Sequence, residues 1–167
     1  MTRKKHELHV NASPDVVWQE ITKQGRNDWY FLLDVDGTFA TGERVVWKAG
    51  GEFAEEADVV EADPPRRLEL RTRLLFAPNL AALPPHLLVW EVVPDNGGSL
   101  VILSWDATPL AGNLYESEGE GILRGLRLAV DPSARAELKR AWRPTATTPT
   151  RSGRSAPAST TARTCRR

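Results

Sequence analysis

The feature that most restricts the fold is a two-residue alternation of apolar and polar side chains running, with breaks, from residue 31 to residue 74. Phe31, Leu33, Val35 and Phe39 share one parity, and Asp34, Asp36 and Thr38 the other. Val45, Trp47 and Ala49 then alternate with Arg44 and Lys48. Side chains along a strand point to opposite faces in turn, so this pattern predicts antiparallel strands with one face buried and one in water. The breaks read as turns. Thr41-Gly42 and Gly50-Gly51 supply residues that tolerate hairpin geometry, and Phe53, Ala57 and Val59 resume the apolar face beyond them. Asp63-Pro64-Pro65 ends that strand because proline has no N–H for a ladder. A further strand follows, with Leu68, Leu70, Thr72 and Leu74 alternating with Glu69, Arg71 and Arg73.

The flanks differ in period. Leu8 and Val10 alternate with Glu7 and His9 in a first short strand, and Ser13-Pro14-Asp15 reads as a capped helix start, the helix running to about Lys23 and stopping at Gly25. Residues 75–86 lose the alternation and hold three prolines, yet stay apolar through Leu80 and Leu83, which predicts a loop covering something. Strands over 87–93 and 100–105 are joined by the turn Pro94-Asp95-Asn96-Gly97-Gly98. After Gly112 the apolar residues Ile122, Leu123, Leu126, Ala129 and Val130 recur at helical spacing. Asp131-Pro132-Ser133 caps or kinks this helix, and a second piece runs to Trp142. One antiparallel sheet with its helices on one face is an α+β architecture.

Composition narrows the function classes. Residues 143–167 hold six arginines and no acid, which leaves residues 1–142 with 16 basic and 22 acidic side chains, a poor general binder of nucleic acid. The Arg-, Thr-, Ser- and Pro-rich segment 143–167 has too little apolar bulk to offset the entropy of ordering and reads as a disordered tail after a domain spanning 1–142. A single cysteine, Cys165, excludes a disulfide framework and a multi-cysteine metal site. With no apolar run of membrane-spanning length and no signal peptide, the expected setting is cytoplasmic, without membrane contact.

Three segments in order carry a family resemblance: Ala12-Ser13-Pro14-Asp15-Val16-Val17-Trp18, then residues 58–68 (DVVEADPPRRL), then Val89-Trp90-Glu91-Val92-Val93-Pro94 with Ser99-Leu100-Val101-Ile102-Leu103. Together they resemble the START-like SRPBCC superfamily, and within it the bacterial branch related to the C-terminal domain of the activator of the heat-shock-protein-90 ATPase. The resemblance spans residues 5–131. It implies a helix-grip fold, in which a curved antiparallel sheet wraps around a long C-terminal helix with an apolar cavity between them. The superfamily includes lipid binders, aromatic polyketide cyclases and cochaperone domains. This chain departs from its branch at Trp105, where members often carry histidine, and at Gly121-Ile122, where many have a glycine-tryptophan pair.

Motifs for chemistry are sparse. Asp34-Val35-Asp36-Gly37-Thr38 matches the nucleophile signature of haloacid-dehalogenase-type phosphatases, but the acidic pair for the metal is missing and hairpins surround it where such enzymes alternate strands and helices. Two solvent-facing aspartates on a half-buried strand explain it. His6 and His9 lie three apart on a strand and face opposite ways, and His86 sits in the proline-bounded loop, so no metal site is expected. Gly119, Gly121 and Gly125 miss the dinucleotide spacing and read as loosening the start of the last helix. No cofactor is implied.

What remains is an apolar and aromatic set. Trp47, Trp90 and Trp105 share the buried parity with Phe31, Phe53, Leu70 and Leu103; Leu83 roofs them from the loop, and Leu123 and Leu126 face them from the last helix. Glu55 and Thr72 are the polar groups on that parity, although a bulge in the strand would turn Glu55 out. Buried indoles favour a pocket of some polarity over a dry core. The expectation is therefore a module that binds a small apolar or aromatic molecule without catalysis. The alternatives are a polyketide cyclase- or hydrolase-like enzyme in which Glu55 or His6 moves a proton, and an interaction protein using outward Leu100 and Ile102 against a partner or a second copy.

Overall fold

The computed structural model describes residues 3–142. The chain runs β1 (Lys4–Val10), α1 (Pro14–Ile21), β2 (Gly25–Asn27), β3 (Leu33–Asp36), β4 (Arg44–Ala49), β5 (Glu52–Asp63), β6 (Arg67–Leu74), α2 (Pro78–Ala81), β7 (His86–Asp95), β8 (Gly98–Asp106), α3 (Pro109–Val130) and α4 (Pro132–Ala141). The strands form one antiparallel sheet in the order β1-β8-β7-β6-β5-β4-β3-β2. Its curved face holds α1 and α3, and the core lies between them: Val17 and Ile21 from α1, Leu123 and Leu126 from α3, and Leu68, Leu70, Leu88 and Leu103 from the sheet. Among the described residues no helix is long and apolar enough to cross a membrane. The expected disorder of residues 143–167 lies outside the described residues.

Local chemistry explains the helix boundaries. Ser13 Oγ accepts the N–H of Val16, and Pro14 opens α1 where its missing N–H costs nothing. Asp131 does the same for α4, accepting from the N–H groups of Ser133 and Ala134, while its other oxygen takes the N–H of Asn11 at 3.1 Å. One fully buried carboxylate thus ties the end of β1 to the α3–α4 junction.

Four expectations about elements need correction. Phe31 and Leu32 do not belong to a strand: both have positive φ (52° and 57°), in a turn closed by the Leu33 N–H on the Tyr30 carbonyl, so β3 begins only at Leu33. Where the first helix was expected to stop, the short strand β2 pairs with β3. The last helix starts at Pro109, not after Gly112, so Gly119, Gly121 and Gly125 are interior to it. Gly119 serves a close approach: a Cβ there would lie 2.6 Å from the His6 ring on β1. Finally, β5 carries a bulge at Ala54, since Trp47 pairs with Glu55 and the next residue, Lys48, with Phe53.

The bulge reverses the parity of the residues before it. Phe53 therefore points to the outer face, 58% exposed, with the Lys48 ammonium 5.6 Å from its ring centre. Glu55, Ala57 and Val59 remain inside.

Candidate functional site

A cavity of about 450 Å³ opens between α3 and one end of the curved sheet. Tyr30, Phe31 and Leu33 form one wall, and Ala49, Ala54 and Glu55 come from the β4–β5 hairpin. Leu74 and Phe76 close it from the end of β6, and Leu114, Tyr115, Glu118 and Ile122 from α3. Two local features build it. The turn at Phe31-Leu32 swings the segment before β3 over the sheet, and the Ala54 bulge fixes which side chain of β5 reaches the floor.

That side chain is Glu55, only 3% exposed, between Trp47 on β4 and Leu74 on β6. The Tyr30 hydroxyl donates to its Oε2 at 2.8 Å, and among the described residues Oε1 has no hydrogen-bond partner. Burial pushes the Glu55 carboxyl up to about 7, the Tyr30 hydrogen bond opposing it. Burial and then the Glu55 charge hold the Tyr30 phenol well above its ordinary range, and the same two causes act on Tyr115. Tyr115 is fixed from behind: its hydroxyl shares a 2.7 Å hydrogen bond with His86 Nε2, and its ring lies 5.7 Å from that of Trp105. His86 is the first residue of β7 and buried, not part of an open loop, and burial lowers it to about 4, leaving an uncharged imidazole.

Of the residues expected at a ligand site, the cavity gathers Phe31 and Glu55. Trp47, Leu70 and Trp90 pack behind Glu55 around a gap of about 20 Å³, too small for a ligand, and so form the core that supports the floor. Leu103, Leu123 and Leu126 are buried core residues, and Trp105 packs near Gly112 at the start of α3. Thr72 is fully buried on the inward face of β6, its hydroxyl without a partner among the described residues. Phe53 is excluded by the bulge. Leu83 is also off the wall: it follows the single turn of α2 and packs on the core, and Phe76 takes the place expected for it.

Sequence reasoning missed Tyr30, Tyr115, Phe76, Leu114 and Glu118. A signal existed for Tyr115, which lies seven residues before Ile122 and eleven before Leu126 and so extends the same helical stripe. None existed for Tyr30, whose position depends on the turn after it.

Asp34 and Asp36 stand on the outer face of β3 in an antiparallel sheet, Asp36 accepting from Lys48 Nζ at 2.9 Å. The phosphatase-like motif is thus the solvent-facing side of a strand paired on both edges. His6 and His9 do point opposite ways, His6 toward Glu116 of α3 and His9 toward Asp95.

A curved antiparallel sheet gripping one long helix, with a cavity between them, is the START-like SRPBCC helix-grip fold. Within it, the family of activator of Hsp90 ATPase homolog 1-like proteins matches residues 11–122, and the chain belongs to that family. Solved structures share the fold at low identity. The Aha1 dimer from Colwellia psychrerythraea is 14% identical with a TM-score of 0.59, covering 79% of this chain and 98% of its own. CalU16 from Micromonospora echinospora is 16% identical with a TM-score of 0.61, covering 84% and 94%. A protein from Mesorhizobium loti is 14% identical with a TM-score of 0.63, covering 75% and 94%. No curated protein sequence matches significantly.

Proposed function

We propose that this protein binds a small, largely apolar molecule in the cavity between α3 and the sheet. The observation that carries the reading is the cavity itself: about 450 Å³, walled by aliphatic and aromatic side chains, with the buried Glu55 carboxyl at its floor. Drug-sized ligands occupy clefts of this size and lining, where a few polar groups set orientation. Among the described residues the wall holds no thiol, amine, or serine or threonine hydroxyl, and its carboxyls and phenols are read as orienting a bound molecule without a covalent step. A cytoplasmic setting is part of the proposal. The test uses N-phenyl-1-naphthylamine, a neutral apolar fluorophore. Its emission rises on binding to the parent, and Phe76→Asp, which puts a carboxylate at the exposed rim, weakens binding at least tenfold. No binding to the folded parent overturns the reading.

A second reading concerns protein partners. Val93, 45% exposed, lies opposite Leu100 on the outer face of the sheet, and Ile102 is two residues further along β8. One structure of this fold is described as a dimer. A second copy on this face gives a doubled mass in sedimentation that Val93→Asp returns to the monomer; a monomeric parent removes this reading.

A further inference from the structure

The charges around the cavity restrict what can sit in it. Among the described residues none of the lining side chains is basic, and the two charged ones, Glu55 and Glu118, are both acids. A carboxylate, phosphate or sulfonate ligand would meet like charge at the floor and at the rim and find no cation. A wholly neutral hydrocarbon would leave Glu55 Oε1 as it stands, buried and without a partner, which costs free energy that a suitable ligand would recover.

The groups facing Glu55 do not neutralise it. Tyr30, from the segment before β3, gives one hydrogen bond to Oε2. From α3 come the Tyr115 phenol and, at the rim, Glu118; from β7 comes the uncharged His86, engaged by Tyr115. The cations of the neighbouring strands point away, Lys48 of β4 to Asp36 and Arg73 of β6 towards Glu56. Four aromatic rings, Tyr30, Phe31, Phe76 and Tyr115, line the same cavity. Ring faces attract cations, more strongly where water is excluded.

We propose that the ligand is a cation, an apolar or aromatic amine whose ammonium pairs with the Glu55 carboxylate while its body fills the aromatic wall. This rests on the binding role proposed above and specifies its chemistry. The buried carboxylate accepts an N–H and gains the counter-charge it lacks, and the rings favour the positive end over a neutral one.

The experiment compares three probes of one shape by calorimetry at pH 8: 1-naphthylmethylamine (protonated), 1-naphthylmethanol (neutral) and 1-naphthoic acid (anionic). The amine binds at least tenfold tighter than the alcohol, and the acid more weakly than either. Glu55→Gln abolishes the advantage of the amine over the alcohol. In the parent, amine affinity falls about 30-fold between pH 8 and pH 5.5 as the carboxyl is protonated, while alcohol affinity stays within threefold; this arm needs no variant to fold. Equal binding of alcohol and amine at pH 8, or no pH dependence for the amine, overturns the inference and leaves the binding role standing. If none of the three probes nor N-phenyl-1-naphthylamine binds, the binding role itself fails.

Discussion

Glu55 weakens the fold that contains it, and replacing it tests the reading of the site by a route independent of any ligand. In the unfolded chain its carboxyl titrates near 4.5; in the folded protein burial moves that to about 7. Between those values the folded state binds more protons than the unfolded one, so the contribution is full below pH 4.5 and is lost as pH rises through 7. At about 1.4 kcal/mol per pH unit the whole displacement corresponds to roughly 3 kcal/mol, most of which falls between pH 5 and pH 8. Glu55→Gln keeps the shape and removes the titration. The variant is therefore expected to be more stable than the parent at pH 8 by about 2–3 kcal/mol, and close to it at pH 5. Urea unfolding of both proteins at the two pH values gives the double difference directly, free of all other titrating groups common to both. A double difference under about 0.5 kcal/mol would refute the placement of an unpaired carboxylate in the floor.

Three further outcomes follow from other parts of the molecule. Leu126→Asp on α3, where the side chain is fully buried, unfolds the protein, whereas Leu83→Asp costs less than about 2 kcal/mol and leaves N-phenyl-1-naphthylamine affinity within threefold, because Leu83 is off the cavity wall; circular dichroism and fluorescence titration check both. Asp131→Ala costs about 2–4 kcal/mol in urea unfolding, since it removes the α4 cap together with the bond to Asn11. Burial opposes ionisation of Asp131, but its hydrogen bonds from Ser133, Asn11 and Ala134 outweigh that and hold the carboxyl well below the usual carboxylate range. Its contribution is thus present at neutral pH and lost as pH falls below the ordinary aspartate range, a loss the alanine variant does not show. Asp34→Asn with Asp36→Asn shifts stability by less than about 0.5 kcal/mol per site and produces no change in aryl phosphate hydrolysis, because both side chains face water.

The sequence disclosed the strands wherever each could be read from its own alternation. β6 is the clearest case: Leu68, Leu70, Thr72 and Leu74 are all buried, and the intervening residues lie outward. The α1 and α4 caps were equally legible, because Ser13-Pro14 and Asp131-Pro132 act within one turn of their own helix. The cavity was not, since its walls join residues whose meeting depends on long-range geometry. Tyr30 reaches Glu55 only because Phe31 and Leu32 adopt left-handed φ, a conformation their side chains disfavour and no local motif announces. The bulge is the more instructive case. From the pattern alone a bulge in β5 threatens to turn Glu55 out, yet the one at Ala54 turns out Phe53 and leaves Glu55 inside. One extra residue reverses parity only on one side of itself, so what matters is its position relative to the Gly50-Gly51 hairpin. Placed between Phe53 and Glu55, it puts a phenyl ring under a lysine on the outer face and keeps a carboxylate on the inner one. The site's single buried charge is therefore fixed by backbone register, not by hydrophobic pattern, and periodicity alone carries no information about that register.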